Sequence, residues 1–140
     1  MLDRTGQCPA LNEVTDRLPC RVALPEEWVD FFDQSGPLPS GPTDVRKRPR
    51  YYYRETMAIR YRQTFPTLYR NSCWYTVYTR DLSRSGLSFL HFEQLFPGER
   101  FVALLPGDKE AAIEVMRCQR VQDFCFIVGA RFVANATMAS

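Results

Sequence analysis

The sequence of this 140-residue chain predicts an all-β fold, a six-stranded antiparallel barrel preceded by an extension that contains one short helix. The main observation is that apolar and polar residues alternate with a period of two in several short segments, which is typical of half-buried strands. Gly, Pro and Asp residues also mark turns about every eight to twelve residues between these segments. Because no segment is long enough for a wide open sheet, a small closed barrel is favoured.

Six segments carry the strand pattern. They are the alternations at residues 57–62, 74–79 and 87–90, the apolar run at residues 101–105, and the alternations at residues 112–117 and 124–133. Turn signals separate most of them, at residues 84–86, 96–99, 106–108 and 122–123.

The residues before the strands are of a different kind. We divide the chain into an acidic N-terminal extension (residues 1–44), a barrel domain (residues 45–134) and a short C-terminal tail (residues 135–140). One helix is expected in the extension at residues 25–33, because Trp28, Phe31 and Phe32 are spaced to form one apolar helix face. Residues 36–42 contain several Gly and Pro residues and are expected to form an extended linker.

The composition excludes several classes of protein. No segment is long and apolar enough for a membrane span, and the first twenty residues lack the apolar core of a signal peptide, so a cytoplasmic protein is expected. His91 is the only histidine and the five cysteines include no CxxC pair, so neither a metal site nor a cofactor is expected. A single histidine also leaves little scope for acid–base catalysis, so we expect no catalytic residues and no enzyme.

Charge is unevenly distributed along the chain. Residues 1–45 contain three basic and eight acidic residues, a formal charge of −5, whereas residues 46–140 have a formal charge of +7. Residues 46–62 alone contain seven basic residues and one acidic residue. Sixteen of the eighteen basic residues are arginines, which suit bidentate contacts with phosphate and guanine. Codon preference in a GC-rich genome would also raise the share of arginine, but it does not explain the clustering.

The first candidate motif is the basic segment before the first strand. Arg46 and Arg50 form an RxxxR pattern, in which Pro49 favours an extended backbone. Two guanidinium groups at this spacing are suited to clamp one ligand, one group on a guanine edge and the other on a phosphate. A second frame, formed by Arg50 and Arg54, is also present. Alone, the pattern is weak evidence, and it is more typical of a solvated basic linker or a generic polyanion-binding patch.

The second candidate motif is a DxSxxG pattern formed by Asp81, Ser83 and Gly86 between two predicted strands. Asp81 is suited to accept hydrogen bonds from guanine N1–H and N2–H2, and Ser83 to donate to a phosphate or a base edge. We expect Gly86 to supply a backbone shape that a Cβ would disfavour. The alternative is an ordinary turn in which Asp81 and Ser83 cap their own backbone.

Together, and in this order, the two motifs resemble those of the PilZ domain family. The RxxxR pattern precedes the first strand, and the DxSxxG pattern follows the second strand about thirty residues later. Three further segments are similar to the family, namely the strand after the motif at residues 86–89, the turn at residues 95–99 and the closing strand at residues 127–133. The resemblance covers about residues 45–134.

The resemblance implies a six-stranded antiparallel barrel that binds the bacterial second messenger cyclic di-GMP and relays it to an effector protein by altered protein contacts. The implied ligand-binding residues are Arg46 and Arg50 on the arm, and Asp81, Ser83 and Gly86 on the barrel surface. We prefer the Arg46–Arg50 frame because about ten residues then separate Arg50 from the stretch at residues 59–62, as the family spacing suggests. The other frame would also place Arg54 inside that strand.

Family members commonly carry a helix after the last strand, whereas only a few residues follow it here. We therefore expect the predicted N-terminal helix to pack on the barrel in its place, through Trp28, Phe31 and Phe32. The acidic charge of the extension is also expected to attract it to the basic face and to oppose ligand entry weakly. The alternative is that these aromatic residues form a dimer contact or a docking site for a target protein.

Two other functions stay open. One is a protein-docking adaptor that keeps the barrel but binds no nucleotide, although two intact motifs weigh against it. The other is a small barrel that binds single-stranded RNA, with Tyr51, Tyr52 and Tyr53 as stacking platforms. The period-two pattern favours packing of one or two of these tyrosines in the barrel, so nucleic acid is not expected as a partner.

Overall fold

The computed structural model of the protein describes residues 10–36, 51–63 and 73–133. The elements in these ranges are α1 (Leu11–Arg17), a 3₁₀ helix (Phe31–Asp33), β1 (Tyr51–Tyr52), β2 (Thr56–Gln63), β3 (Trp74–Leu82), β4 (Gly86–His91), β5 (Arg100–Leu105), β6 (Lys109–Gln122) and β7 (Cys125–Phe132). Within the same ranges, no helix has the length and apolar character needed to cross a membrane.

Six of the strands close into an antiparallel barrel, as the sequence predicts. Their hydrogen-bonded order is β3-β2-β5-β6-β7-β4, and β4 pairs with β3 to complete the ring. The short β1 pairs with the end of β3, where Tyr51 lies opposite Leu82 and Tyr52 opposite Asp81. This pairing brings the chain that follows the basic segment directly beside the DxSxxG motif.

The barrel interior is filled by apolar side chains from all six strands. Those that are fully buried include Met57, Ile59, Val77, Phe89, Phe101, Ile113, Val115 and Val128. Within β2 and β6 they occupy alternate positions, as the period-two pattern predicts. Burial of each such side chain stabilises the fold by roughly 1.5–3 kcal/mol relative to exposure.

The outer face of the barrel near β2 is also buried, under α1. Val14 packs there with Ala58, Trp74 and Leu104. The Leu11 amide donates a hydrogen bond to the Asp108 carboxylate at 2.7 Å, which fixes the start of the helix against the turn between β5 and β6. The sequence analysis did not predict α1, because seven residues with few apolar positions give little periodic signal.

The predicted helix at residues 25–33 is wrong. Only Phe31–Asp33 is helical, and it is a 3₁₀ helix. The amides of Trp28 and Phe31 donate to the carbonyl oxygens three residues earlier, at 3.0 and 3.2 Å. With about three residues per turn, side chains at i and i+3 lie over each other, so these two rings stack with their centroids 5.8 Å apart. Phe32 lies outside this stack and is 46% exposed, but its ring packs edge-on against Phe31 and against Tyr78 of β3, with centroids 4.9 and 5.0 Å apart. The three rings therefore do not form the predicted helix face, although Phe32 also contacts the barrel.

The same segment nevertheless packs on the barrel, as expected. Phe31 is buried with Leu90 and Cys125 in a cluster on the outer face. The Ala23 amide donates to the Phe124 carbonyl at 2.9 Å, so the extension runs beside the turn between β6 and β7. The extension therefore covers the barrel at two places, through α1 and through the segment that ends in the 3₁₀ helix.

Gly86 is required for a different reason from the one expected. Its φ is not positive, so Gly86 does not have the backbone conformation that glycine adopts more readily than other residues. A Cβ at this position would instead lie 2.2 Å from the carbonyl oxygen of Ala130 and 3.0 Å from the Cα of Arg131. The expectation of a special backbone shape is therefore wrong, and the glycine permits the close approach of β4 and β7.

The first prediction concerns the packing of α1. We expect Val14→Ala to lower the free energy of unfolding by about 2 kcal/mol, because it removes two buried methyl groups and leaves a cavity. Val29 is the matched control in the same extension, since Val14 is 1% exposed and Val29 is 88% exposed. Urea denaturation should show a change below about 0.5 kcal/mol for Val29→Ala. Equal losses for the two variants would contradict the packing of α1 on the barrel.

The second prediction concerns the contact between β4 and β7. Gly86→Ala should lower the free energy of unfolding by about 3 kcal/mol, because its Cβ would overlap a backbone carbonyl that cannot move alone. At Gly129 a Cβ would meet only the flexible side chain of Arg117, at 3.1 Å. Gly129→Ala is therefore the control, with an expected loss of about 1 kcal/mol or less. A loss at Gly129 as large as that at Gly86, measured by urea denaturation, would refute this reason for the glycine.

Candidate functional site

The DxSxxG residues lie where β3 ends and β4 begins. Asp81 is the penultimate residue of β3, Ser83 follows that strand, and Gly86 is the first residue of β4. The amide and the hydroxyl of Ser83 both donate to the Gly86 carbonyl, at 2.9 and 3.3 Å. Ser83 therefore stabilises the turn, as the alternative interpretation of this motif holds, and its side chain remains partly exposed to a ligand.

The carboxylate of Asp81 is buried, with its side chain 3% exposed. Its Oδ2 accepts hydrogen bonds from Arg80 Nη1 at 2.8 Å and from Ser88 Oγ at 3.2 Å. Its Oδ1 lies 3.6 Å from Arg54 Nη2 and has no hydrogen-bond partner among the described residues. A buried carboxylate needs cations and donors to compensate for lost hydration, so Asp81 depends on the two arginines.

A β-bulge in β3 allows Arg80 to reach its own neighbour. The register between β3 and β4 shifts between Thr79 and Asp81, which leaves Arg80 as the extra residue. Adjacent side chains of a regular strand point to opposite faces, whereas a bulge re-aims them locally. The bulge therefore places a guanidinium group beside the carboxylate of the DxSxxG motif.

The backbone holds Arg54 at a fixed position beside β3. Arg54 lies in the short connection between β1 and β2. On one side of it, the Tyr53 amide donates to the Arg80 carbonyl at 2.9 Å. On the other side, the Glu55 amide donates to Thr79 Oγ1 at 2.8 Å. The two residues that flank Arg54 are thus tied to the strand that carries the motif.

The Arg54 side chain contacts two aromatic rings. Its Cζ lies 4.2 Å from the ring centroid of Phe31, in the extension, and 4.8 Å from that of Tyr52, in β1. Burial lowers the pKa of Arg54, whose side chain is 7% exposed, while the Asp81 carboxylate opposes this shift. Its Nε is buried and has no hydrogen-bond partner among the described residues.

The predicted arm residues Arg46 and Arg50 lie outside the described residues. The described chain before and after them meets at the site, because the Tyr52 amide donates to the Gly36 carbonyl at 2.9 Å. The expectation that the second frame would place Arg54 inside a strand is wrong, because β2 begins at Thr56. One of the two reasons for preferring the Arg46–Arg50 frame is thereby removed.

Two clefts share Asp81 in their walls. The extension cleft, of about 340 Å³, is lined by Glu27, Trp28 and Asp30 of the extension and by Tyr52, Arg54, Arg80 and Asp81 of the barrel domain, together with Phe31 and Gln34. The basic cleft, of about 220 Å³, is lined by Asp81, Ser83, Gly86, Arg117 and Arg131, with neighbouring residues of β4, β6 and β7. The basic cleft has more cations than carboxylates, so it suits an anionic ligand group such as a phosphate.

Comparison with known protein families agrees with this geometry. The family model described as PilZ domain matches residues 44–140. The chain belongs to the PilZ domain family. PilZ domains are the binding domains of cyclic di-GMP receptors, so the resemblance inferred from the two motifs is confirmed, as is the predicted six-stranded barrel. A search of curated proteins found no match to the chain.

Four arginines at the site of this PilZ domain were not predicted as ligand-binding residues. Arg54 and Arg80 contact Asp81, and Arg117 and Arg131 line the basic cleft. The clustering of basic residues was a signal for Arg54, which formed the second frame. No comparable signal marks the other three, since their proximity depends on the bulge in β3 and on the pairing of β6 with β7.

The third prediction concerns the energetic coupling of Arg54 and Asp81. Asp81→Asn should lower the free energy of unfolding by about 3 kcal/mol, because it leaves a buried guanidinium without its counter-ion. In the Asp81→Asn variant, Arg54→Met should lower the free energy of unfolding by less than it does in the unmodified protein. The double-mutant cycle should give a coupling energy of at least about 1 kcal/mol. Chemical denaturation of the four proteins measures it.

The exposed ion pair between Arg120 and Asp123 provides the control cycle, since these side chains are 60% and 81% exposed. Its coupling should stay below about 0.5 kcal/mol. A coupling for Arg54 and Asp81 no larger than this would show that the buried pair does not organise the site.

Proposed function

We propose that the protein is a receptor that binds cyclic di-GMP where the arginine-rich segment meets the DxSxxG motif. The observation that carries this proposal is the ion pair between Arg54 and Asp81, which joins the two segments at one point of the fold. The proposed ligand-binding residues of the motif are Asp81, Ser83 and Gly86. Neither a cofactor nor a catalytic residue is part of the proposal.

The chemistry of the site suits both parts of this ligand, which carries two phosphates and two guanine bases. Arg117 and Arg131 in the basic cleft are suited to the phosphates, with the Ser83 hydroxyl as a further donor. Asp81 has two roles in the proposal. It holds Arg54 and Arg80 in place, and its Oδ1, which has no hydrogen-bond partner among the described residues, accepts a hydrogen bond from a guanine edge when the ligand binds.

Among the arm arginines, the contacts favour Arg50 and Arg54 over Arg46 and Arg50. Arg54 contacts Asp81 and lines the extension cleft. Arg50 directly precedes β1, which pairs with β3 at Asp81. The Arg46–Arg50 frame is the alternative within the proposal. Arg50 belongs to both frames, so the frames differ in whether Arg54 or Arg46 is the second arginine that binds the ligand.

Ligand binding is proposed to be relayed through the extension. The Arg54 guanidinium contacts Phe31 of the extension as well as Asp81 of the barrel. A ligand that engages Arg54 therefore changes the contacts between the extension and the barrel. An effector protein that contacts the extension would then detect the bound state.

The fourth prediction tests the receptor function by isothermal titration calorimetry with cyclic di-GMP. We expect the unmodified protein to bind, and Arg50→Ala and Arg54→Ala each to weaken binding by about 1–3 kcal/mol, the scale of one bidentate contact between arginine and guanine. Arg46→Ala should have a smaller effect. Arg120→Ala is the control, because Arg120 is exposed and is not among the residues that line either cleft.

Different results separate the alternatives. Loss of binding in Arg46→Ala but not in Arg54→Ala would establish the first frame instead. GTP and a short oligonucleotide serve as competing ligands, and binding of the oligonucleotide alone would favour the RNA-binding barrel. A protein that binds none of the three ligands would be a docking adaptor, and the receptor proposal would be wrong.

A further inference from the structure

We infer that the N-terminal extension is part of the nucleotide site, and that Trp28 is the residue on which a guanine base of the ligand stacks. The inference rests on the proposed function and deepens it. Trp28 precedes residues 44–140, the part of the chain that matches the PilZ domain, so the family match says nothing of this residue. It is the contacts of the extension with the barrel that bring Trp28 to the site.

Trp28 lines the extension cleft, as does the ion pair that joins the two sequence motifs. Arg54 and Asp81 line the same cleft. The Trp28 ring is nearly parallel to that of Phe31, with an interplanar angle of 9°. Phe31 is buried against the barrel and contacts the Arg54 guanidinium. The stack with Phe31 therefore holds the indole as a fixed aromatic surface at the cleft, which reduces the entropy lost when a base stacks on it.

The charges of the extension cleft favour a base over a phosphate. Three carboxylates, those of Glu27, Asp30 and Asp81, line it with two guanidinium groups, those of Arg54 and Arg80. This excess of negative charge disfavours a phosphate. The N1–H and N2–H2 groups of guanine, in contrast, donate hydrogen bonds, which carboxylate oxygens accept. The volume of about 340 Å³ equals that of roughly eleven water molecules, which is enough for one purine base.

Two buried polar atoms in the cleft lack hydrogen-bond partners among the described residues. They are Nε of Arg54 and Oδ1 of Asp81, a donor and an acceptor that belong to neighbouring side chains. Leaving such atoms unsatisfied is costly, so a small shift of these side chains that exposes both atoms to a ligand edge is favoured. Guanine presents the acceptor O6 next to the donor N1–H, which complements this pair. Both atoms belong to residues that line the same cleft as Trp28.

The test compares three variants of the full chain by calorimetry with cyclic di-GMP. Trp28→Ala should weaken binding by about 5- to 150-fold, the range for loss of one base–aromatic stack. Trp28→Phe keeps an aromatic ring and should retain most of the affinity. Val29→Ala is the matched control, because Val29 adjoins Trp28 but is almost fully exposed and is not among the cleft residues.

Fluorescence provides an independent readout, because the chain has two tryptophans. In Trp74→Phe, Trp28 is the remaining indole, and stacking on guanine should quench its emission when cyclic di-GMP is added. In Trp28→Phe, Trp74 is the remaining indole, and it packs under α1 away from the extension cleft. Its emission should change little on addition of the ligand.

The outcomes distinguish this inference from the function on which it rests. If the unmodified protein binds cyclic di-GMP, while Trp28→Ala binds equally well and Trp28 emission is unchanged, the stacking role is refuted and the receptor function stands. Tighter binding by Trp28→Ala would show that the extension obstructs the site, which also refutes the role. Absence of binding by the unmodified protein overturns both. Should Trp28→Ala fail to fold, judged by circular dichroism, the fluorescence of Trp74→Phe decides the question.

Discussion

The buried carboxylate of Asp81 is the constraint on which the site depends. A carboxylate that is withdrawn from water at the end of β3 must be surrounded by cations and donors. It obtains them from three separate parts of the chain: Arg54 before β2, Arg80 in the bulge of β3, and Ser88 in β4. The need to compensate one charge therefore fixes the connection before β2 relative to the DxSxxG motif. Within the described part of the chain, it leaves Nε of Arg54 and Oδ1 of Asp81 without hydrogen-bond partners.

The second constraint on the site is the packing of the N-terminal extension. Its α1 covers the outer face near β2, and Phe31 covers another outer patch with Leu90 and Cys125. Phe31 also contacts Arg54, so the packing of the extension and the position of the Arg54 guanidinium depend on the same contacts. In the proposed function, a ligand that engages Arg54 would alter the contacts of the extension, because a change at Arg54 alters what Phe31 packs against.

Much of the fold follows from local patterns in the sequence. The period-two alternation predicts five of the six strands of the barrel, because the spacing of side chains in a strand is fixed by the backbone, and the apolar run at residues 101–105 predicts the sixth. A local pattern gives the wrong prediction at residues 25–33. An i, i+3, i+4 spacing of aromatic residues predicts an α-helix there, but the chain forms turns of about three residues. The i, i+3 pair Trp28 and Phe31 fits both geometries, so the sequence does not distinguish them.

The sequence by itself determined the family and the motif residues Asp81, Ser83 and Gly86, because two motifs in a fixed order are specific even when each alone is weak. Only the tertiary structure decided what surrounds them. Arg54 lies beside Asp81 because the residues that flank it are hydrogen-bonded to β3. Gly86 is needed because the paired strand β7 leaves no space for a Cβ at this position. These relations join residues that are far apart in the chain, and they depend on the bulge, the strand register and the docking of the extension. Local sequence patterns specify which residues can form strands, but the distances between strands are set by the closed barrel.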